Sequence, residues 1–177
     1  MSIREYIDRN SQAITVVCVL AVVIAAWLAF GAMGDKRVNS RKWMFDLNAQ
    51  QLVVAPRTTI SPTDMGSGGV FNYPGMKSSG SIVDAALYSC GDVGPVKHGM
   101  TLKELDAMGV HIGYLSRYTD PAHEFILSGE DVIEELPIVV SDVSGQAWYS
   151  SSSDASSVVY DPISRLCGGD VPKALRP

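Results

Sequence analysis

The hydrophobic pattern is dominated by one unbroken run. From Ala13 to Met33 the chain carries twenty-one residues without a charge, with Thr15 and Cys18 as the only polar side chains. At about 1.5 Å per residue a helix of that length spans roughly 31 Å, close to the hydrocarbon thickness of a bilayer. The run predicts a transmembrane helix over 13–33, preceded by a polar leader (1–12) and followed by a charged connector (34–41). The leader mixes Arg4 and Arg9 with Glu5 and Asp8. A cleaved signal peptide would have a purely basic start and a shorter apolar core, so an uncleaved signal anchor fits better. Glu5 invites comparison with pilin-like stems, but those are apolar where this leader is polar.

Beyond the connector the pattern changes to short elements of a single domain over 42–177. KWMFDLNAQQLVVA (42–55) reads as two strands around a turn near Asn48 and Ala49, ended by Pro56. Residues 57–80 are rich in Thr, Ser, Pro and Gly and read as a long loop. Ser81 to Cys90 suits a third strand. Thr101 and Glu104 have the spacing of a capping box. Leu105, Met108, Ile112 and Leu115 then follow as a helical stripe, predicting a helix that Tyr114, Arg117 and Tyr118 close. Gly109 and Gly113 weaken that helix and call for a compensating close contact. Asp120 and Pro121 open a shorter helix, Asp120 as its N-cap, that stops near Ser128. Residues 137–141 and 146–150 make a hairpin around Val143–Gly145. The serines of 150–157 read as a flexible loop, Val158–Tyr160 as a last strand, and the segment after Cys167 as coil. Strands grouped around helices predict an α+β domain with an antiparallel sheet and one or two helices.

Charge bears on partners. From Trp43 onward there are 8 Lys/Arg and 16 Asp/Glu, a net of 8 − 16 = −8. An acidic body argues against nucleic acid, which demands a basic footprint. Lys36, Arg37, Arg41 and Lys42 form a basic collar beside the span, suited to lipid head groups or simply the usual flank of a membrane segment.

Two of the three cysteines, Cys90 and Cys167, lie in the domain. In an oxidising compartment they would form a disulfide; in a reducing one they would remain thiols. Four basic residues after the span against two before it favour a cytoplasmic domain. The cysteine pair and the Ser-rich loop favour the opposite side, and an extracytoplasmic domain on a single-pass inner-membrane protein is the expectation. Within the span, Cys18, Ala21, Ala25, Ala29 and Ala32 form a small-residue face suited to a protein partner or a second copy.

Little points to catalysis. Cys90 with His98, His111 or His123 could be a thiolate–imidazole pair, but no local signature surrounds it. The same residues have the wrong spacing for structural zinc. Glu124, Glu130, Asp131, Glu134 and Glu135 are acidic but lack the ligand alternation of a calcium loop. Gly66–Gly69 lacks the lysine of a phosphate loop. Trp148, Tyr149 and Tyr160 offer either an aromatic strip for peptide or glycan or ordinary cross-strand packing. No metal, cofactor or catalytic residue is expected.

REYIDRN before a span, KWMFDLNAQQLVVAP after it, a strand ending in YSCGD, then HIGYLSRYTDPA, a Trp-containing hairpin and a Cys-Gly near the Pro-ended tail together make a pattern. In it the chain resembles small uncharacterised single-span membrane proteins of planctomycete-type bacteria. The resemblance implies a membrane-anchored domain and carries over no catalytic residue. The reading is an anchored interaction or structural module, a class that includes accessory subunits of larger membrane assemblies. Its competitors are a thiol-dependent or other hydrolase using Cys90 and a ligand-binding domain with residues 57–80 as a lid.

Overall fold

The structure, a computed structural model, describes residues 19–25, 40–65, 69–129 and 135–177. The chain divides into two units, Met1–Ser40 and Arg41–Pro177. In the first, residues 19–25 are helical and exposed, including Val19, Leu20, Val22, Val23 and Ile24. The rest of the expected 13–33 span lies outside the described residues. Among the described residues no helix is long and apolar enough to cross a membrane.

The second unit is an α+β fold on an antiparallel sheet. Its strands are β1 (Arg41–Asp46), β2 (Gln51–Pro56), β5 (Ile82–Ser89), β6 (Val110–Tyr118), β7 (Ile138–Ser141) and β8 (Tyr149–Ser150), in the order β2-β1-β5-β6-β7-β8. A further strand, β9 (Lys173–Leu175), pairs with β5. A separate two-stranded piece joins β3 (Val70–Phe71) to β4 (Ser79–Gly80). The helices are α1 (Leu102–Ala107), α2 (Asp120–Ser128) and α3 (Ser157–Arg165), with a 3₁₀ turn at Asp154–Ser156 before α3.

The β1–β2 hairpin forms where its alternation predicts, from Arg41↔Pro56 to Asp46↔Gln51. Asp46 shapes the turn, its Oδ1 accepting from the Asn48 N–H at 2.9 Å, the Ala49 N–H at 3.2 Å and the Ser81 hydroxyl at 2.8 Å. Side chains then alternate between two buried faces. One holds Trp43, Phe45, Leu52, Val83, Leu87 and Leu115, packed with Leu105 of α1 and with Tyr73. The other holds Met44, Val53, Ala55 and Ile82.

The capping box forms as expected, with Thr101 accepting from the Glu104 N–H and the Glu104 carboxylate accepting from the Thr101 N–H. The helix it starts does not run to Tyr118. It stops at Ala107, because Gly109 takes φ +71°, the left-handed conformation that ends a helix. Val110–Tyr118 is a strand. Its register shifts between Ala86 and Leu87, so that Gly113 is the extra residue of a bulge. Ile112 lies opposite Leu87 and Leu115 opposite Ala85, which puts two residues three apart on one face. The bulge therefore imitates a helical repeat in a strand.

Three further expectations are corrected. α2 begins one residue earlier than a cap at Asp120 would place it, with Thr119 as N-cap, and Gly129 at φ +75° stops it. Val158–Tyr160 is helical and not a strand. Val159, Ile163 and Leu166 follow at i, i+4 and i+7, Val159 is buried, and that stripe outweighs the β-preference of two valines and a tyrosine. The segment after Cys167 is not all coil, since β9 adds to β5 through Leu87↔Leu175, Tyr88↔Ala174 and Ser89↔Lys173.

Candidate functional site

β6 delivers the most unusual side chain in the domain. Arg117 is only 1% exposed, and its guanidinium carbon lies 4.2 Å from the centroid of the Tyr73 ring. Its Nη2 pairs with the Asp120 carboxylate at the start of α2, and its Nε donates to the Tyr118 carbonyl at 3.0 Å. The second Asp120 oxygen accepts the Lys77 N–H at 2.9 Å, and the Lys77 ammonium reaches Glu124 at 2.6 Å. Tyr73 donates its hydroxyl to the Gly80 carbonyl at 2.7 Å and packs edge-on against Phe71 and Trp148. Burial pushes the Tyr73 phenol far above its ordinary range, against the opposing pull of Arg117. A buried cation is tolerable only when paired and hydrogen-bonded, and this one joins β6, α2 and the 69–80 segment. The arrangement is a structural clamp.

A second tie acts on the same loop. Ser61 is buried where β5 and β6 part. Its hydroxyl donates to the Ser116 carbonyl at 3.2 Å and accepts from the Asp84 N–H at 3.2 Å, while its carbonyl accepts from the Tyr118 N–H at 3.3 Å. Thr63 and Ile82 exchange two backbone bonds of 2.9 Å. Within 57–80, Ser61 and Thr63 are thus bonded to the sheet and Tyr73 is packed on Arg117, which is not the free attachment of a lid.

On the opposite face Tyr88, Tyr114 and Tyr160 gather around Gly113. Tyr114 and Tyr160 meet edge-on at 5.3 Å between centroids. Burial first, then the neighbouring phenols Tyr114 and Tyr160, raises the Tyr88 phenol above its usual range. Burial and then Tyr114 do the same to Tyr160. Of the two alternatives for Trp148, Tyr149 and Tyr160, the exposed strip does not assemble, because Trp148 packs on Tyr73 and Tyr160 on Tyr114.

Cys90 and Cys167 are joined in a disulfide, with Cα atoms 5.3 Å apart. Cys90 therefore carries no thiol here. The histidines stand on separate elements. His98 Nδ1 accepts from the Val54 N–H at 3.2 Å beside β2, His111 Nδ1 lies 3.6 Å from Asp106, and His123 is on α2. Comparison with known proteins finds no matching family model, no matching curated protein and no matching solved structure. Function must be argued from the geometry alone.

Among the described residues no group of three or more His, Cys, Asp or Glu is placed to hold a metal ion. Of the acidic run, Glu124 is paired with Lys77 and Glu135 is exposed, while Glu130, Asp131 and Glu134 lie outside the described residues. Of the small-residue face, Ala21 and Ala25 are exposed on the 19–25 helix, and Cys18, Ala29 and Ala32 lie outside the described residues. The described residues include two clefts of about 270 Å³. One, beside the β1–β2 turn, is lined by Asp46, Gln51, Leu52, Met65 and His98; the other, at the α1–β6 corner, by Leu102, Leu105, Val110, His111 and Ile112. Each sets an imidazole beside carboxylates, His98 with Asp46 and Asp64 in the first and His111 with Asp106 in the second, and neither lining includes a serine, threonine, cysteine or lysine.

The sheet edges are a further feature with recognition chemistry. Outside β2, residues 98–101 cover the edge, Leu52 N–H donating to Met100 at 2.8 Å and Gly99 N–H to Leu52 at 2.7 Å. On the far side of β5 the cover is β1 along Ile82–Asp84 and the three-residue β9 along Leu87–Ser89. Sequence reasoning missed both Arg117 and β9. The signal for Arg117 was a lone cation in a run that alternates once it is read as a strand. β9 has none, since its three residues acquire meaning only beside β5.

Proposed function

We propose that this chain is a membrane-tethered interaction or structural module, held at the bilayer by 13–33, with its acidic domain on the extracytoplasmic side. The observation that carries this reading is the Cys90–Cys167 disulfide, which uses both cysteines of the domain and is the chemistry of an oxidising compartment. The exposed apolar side chains of the 19–25 helix support the tether, since surfaces of that kind call for a non-aqueous surrounding. Occupation of Cys90 by Cys167 weighs against the thiol-hydrolase alternative, and the ties at Ser61 and Tyr73 weigh against the lid.

The test is a thiol count on native membranes dissolved in SDS with an alkylating reagent. The account expects one modified cysteine before reduction, Cys18, and three after it. Three before reduction would overturn the placement in an oxidising compartment.

A further inference from the structure

β2 ends the sheet, and its outer edge is closed in three different ways. Backbone donors alternate along a strand, and here the N–H groups of Leu52 and Val54 point away from β1. The Leu52 N–H donates to the Met100 carbonyl at 2.8 Å, and the Val54 N–H donates to His98 Nδ1 at 3.2 Å. The next outward position is Pro56, which has no N–H to cover. A carbonyl and a proline close an edge at any pH. An imidazole does so only while Nδ1 keeps its lone pair, which requires the neutral form with its proton on Nε2.

His98 is exposed, so protons reach it from solvent. It shares a cleft of about 270 Å³ with Asp46 from the β1–β2 turn and with Asp64, which follows the Thr63 bridge to Ile82. β2 itself carries no ionisable side chain, and Glu104 at the start of α1 is bonded to Thr101. The like charge beside His98 in the chain is Lys97, also exposed. The cleft therefore offers an imidazolium two carboxylates, where the β2 edge offers it only an opposing N–H. Neutral and charged forms favour different seats, which is the differential that a two-state switch needs. Residues 98–100 also lead directly into Thr101, the N-cap of α1, so the seat of His98 lies at the entry to that helix.

We infer that His98 is a pH-operated clasp on the outer edge of β2. Neutral, it accepts the Val54 N–H and closes the edge. Protonated at Nδ1, it becomes a second donor facing that N–H, the bond is lost, and the ring turns toward Asp46 and Asp64. The Leu52–Met100 and Gly99–Leu52 bonds do not depend on a titrating group and keep the segment in place. Acid thus uncovers one backbone donor of the edge without unfolding the domain. The inference rests on the domain's geometry and not on the side of the membrane.

The test is amide hydrogen exchange with imidazole nitrogen NMR on the full chain in detergent micelles. The two conditions are about pH 7.5 and about pH 5.5, either side of the ordinary imidazole value of about 6.5. At the higher pH the His98 nitrogen shifts should mark Nδ1 as the unprotonated nitrogen. At the lower one the protection factor of Val54, corrected for the intrinsic pH dependence of exchange, should fall about 5-fold, in line with the loss of one hydrogen bond. That of Leu52 should not change. His98→Asn places an amide oxygen near the Nδ1 position and should keep Val54 protected under both conditions, whereas His98→Ala should leave it poorly protected under both. A proton on Nδ1 at the higher pH, an unchanged Val54 protection factor, an equal fall at Leu52, or the same fall in His98→Asn would each overturn the clasp.

Discussion

Arg117 lies with its guanidinium over the ring of Tyr73, and this contact between a strand and a predicted loop holds one side of the domain together. The cation is buried with Asp120 as its counter-charge, so its removal strands a carboxylate in a poorly solvated place. Arg117→Met is expected to destabilise the full chain by about 3 kcal/mol. A double-mutant cycle with Tyr73→Leu should return a coupling of about 2 kcal/mol for a desolvated cation–π pair. Urea unfolding in detergent micelles, followed by tryptophan fluorescence, reads both. Additive effects would mean that the stacking contributes nothing.

Gly80 and Gly113 predict unequal responses to the same substitution. A Cβ on Gly80 would lie 2.1 Å from the Thr63 carbonyl carbon, main chain that is fixed by its bonds to Ile82. A Cβ on Gly113 would lie 2.6 Å from the Tyr88 ring and 3.0 Å from Ile163 Cδ1, side chains that can shift where main chain cannot. Gly80→Ala should cost about 3 kcal/mol and Gly113→Ala about 1 kcal/mol, within the range for overpacking. Tyr88→Ala should suppress the second and leave the first unchanged, as measured by thermal unfolding of the double variants.

Asp84 predicts a pH dependence of definite sign. Burial raises its carboxyl above the ordinary range, partly offset by the Lys42 ammonium that pairs with it. The folded state therefore binds this proton more tightly than the unfolded state. Its contribution to stability is full below the unfolded value, about 3.9, and is lost as pH rises through the folded one. The stability of Asp84→Asn relative to the unchanged chain should accordingly climb from about pH 3 to about pH 7. A relative stability that is flat or falling over that range would contradict the burial argument.

Much of the frame was legible because local chemistry agreed with the fold. The alternation of 42–55, the Thr101–Glu104 box and the Gly129 stop each specify their element without distant help, and Cys90 and Cys167 were the only partners available to one another within the domain. The failures have particular physical causes. A bulge at Gly113 turned a period of two into a spacing of three and disguised β6 as a helix. Val158 and Val159 carry β-preference, but the Val159–Ile163–Leu166 stripe is satisfied only when α3 lies on β6 beside Gly113. Arg117 reads as a surface cation until β6 is a strand, and only the folded loop supplies Tyr73. These elements depend on partners 25 or more positions away, where sequence periodicity carries no information.

The central claim, a bilayer-tethered domain on the oxidising side, is tested most directly by topology reporters fused after Pro177 in living cells. Alkaline phosphatase, which matures only outside the cytoplasm, should be active, and a green fluorescent reporter exported through the same route should stay dark. An inactive phosphatase with a bright fluorescent fusion would contradict the account and place the domain in the cytoplasm.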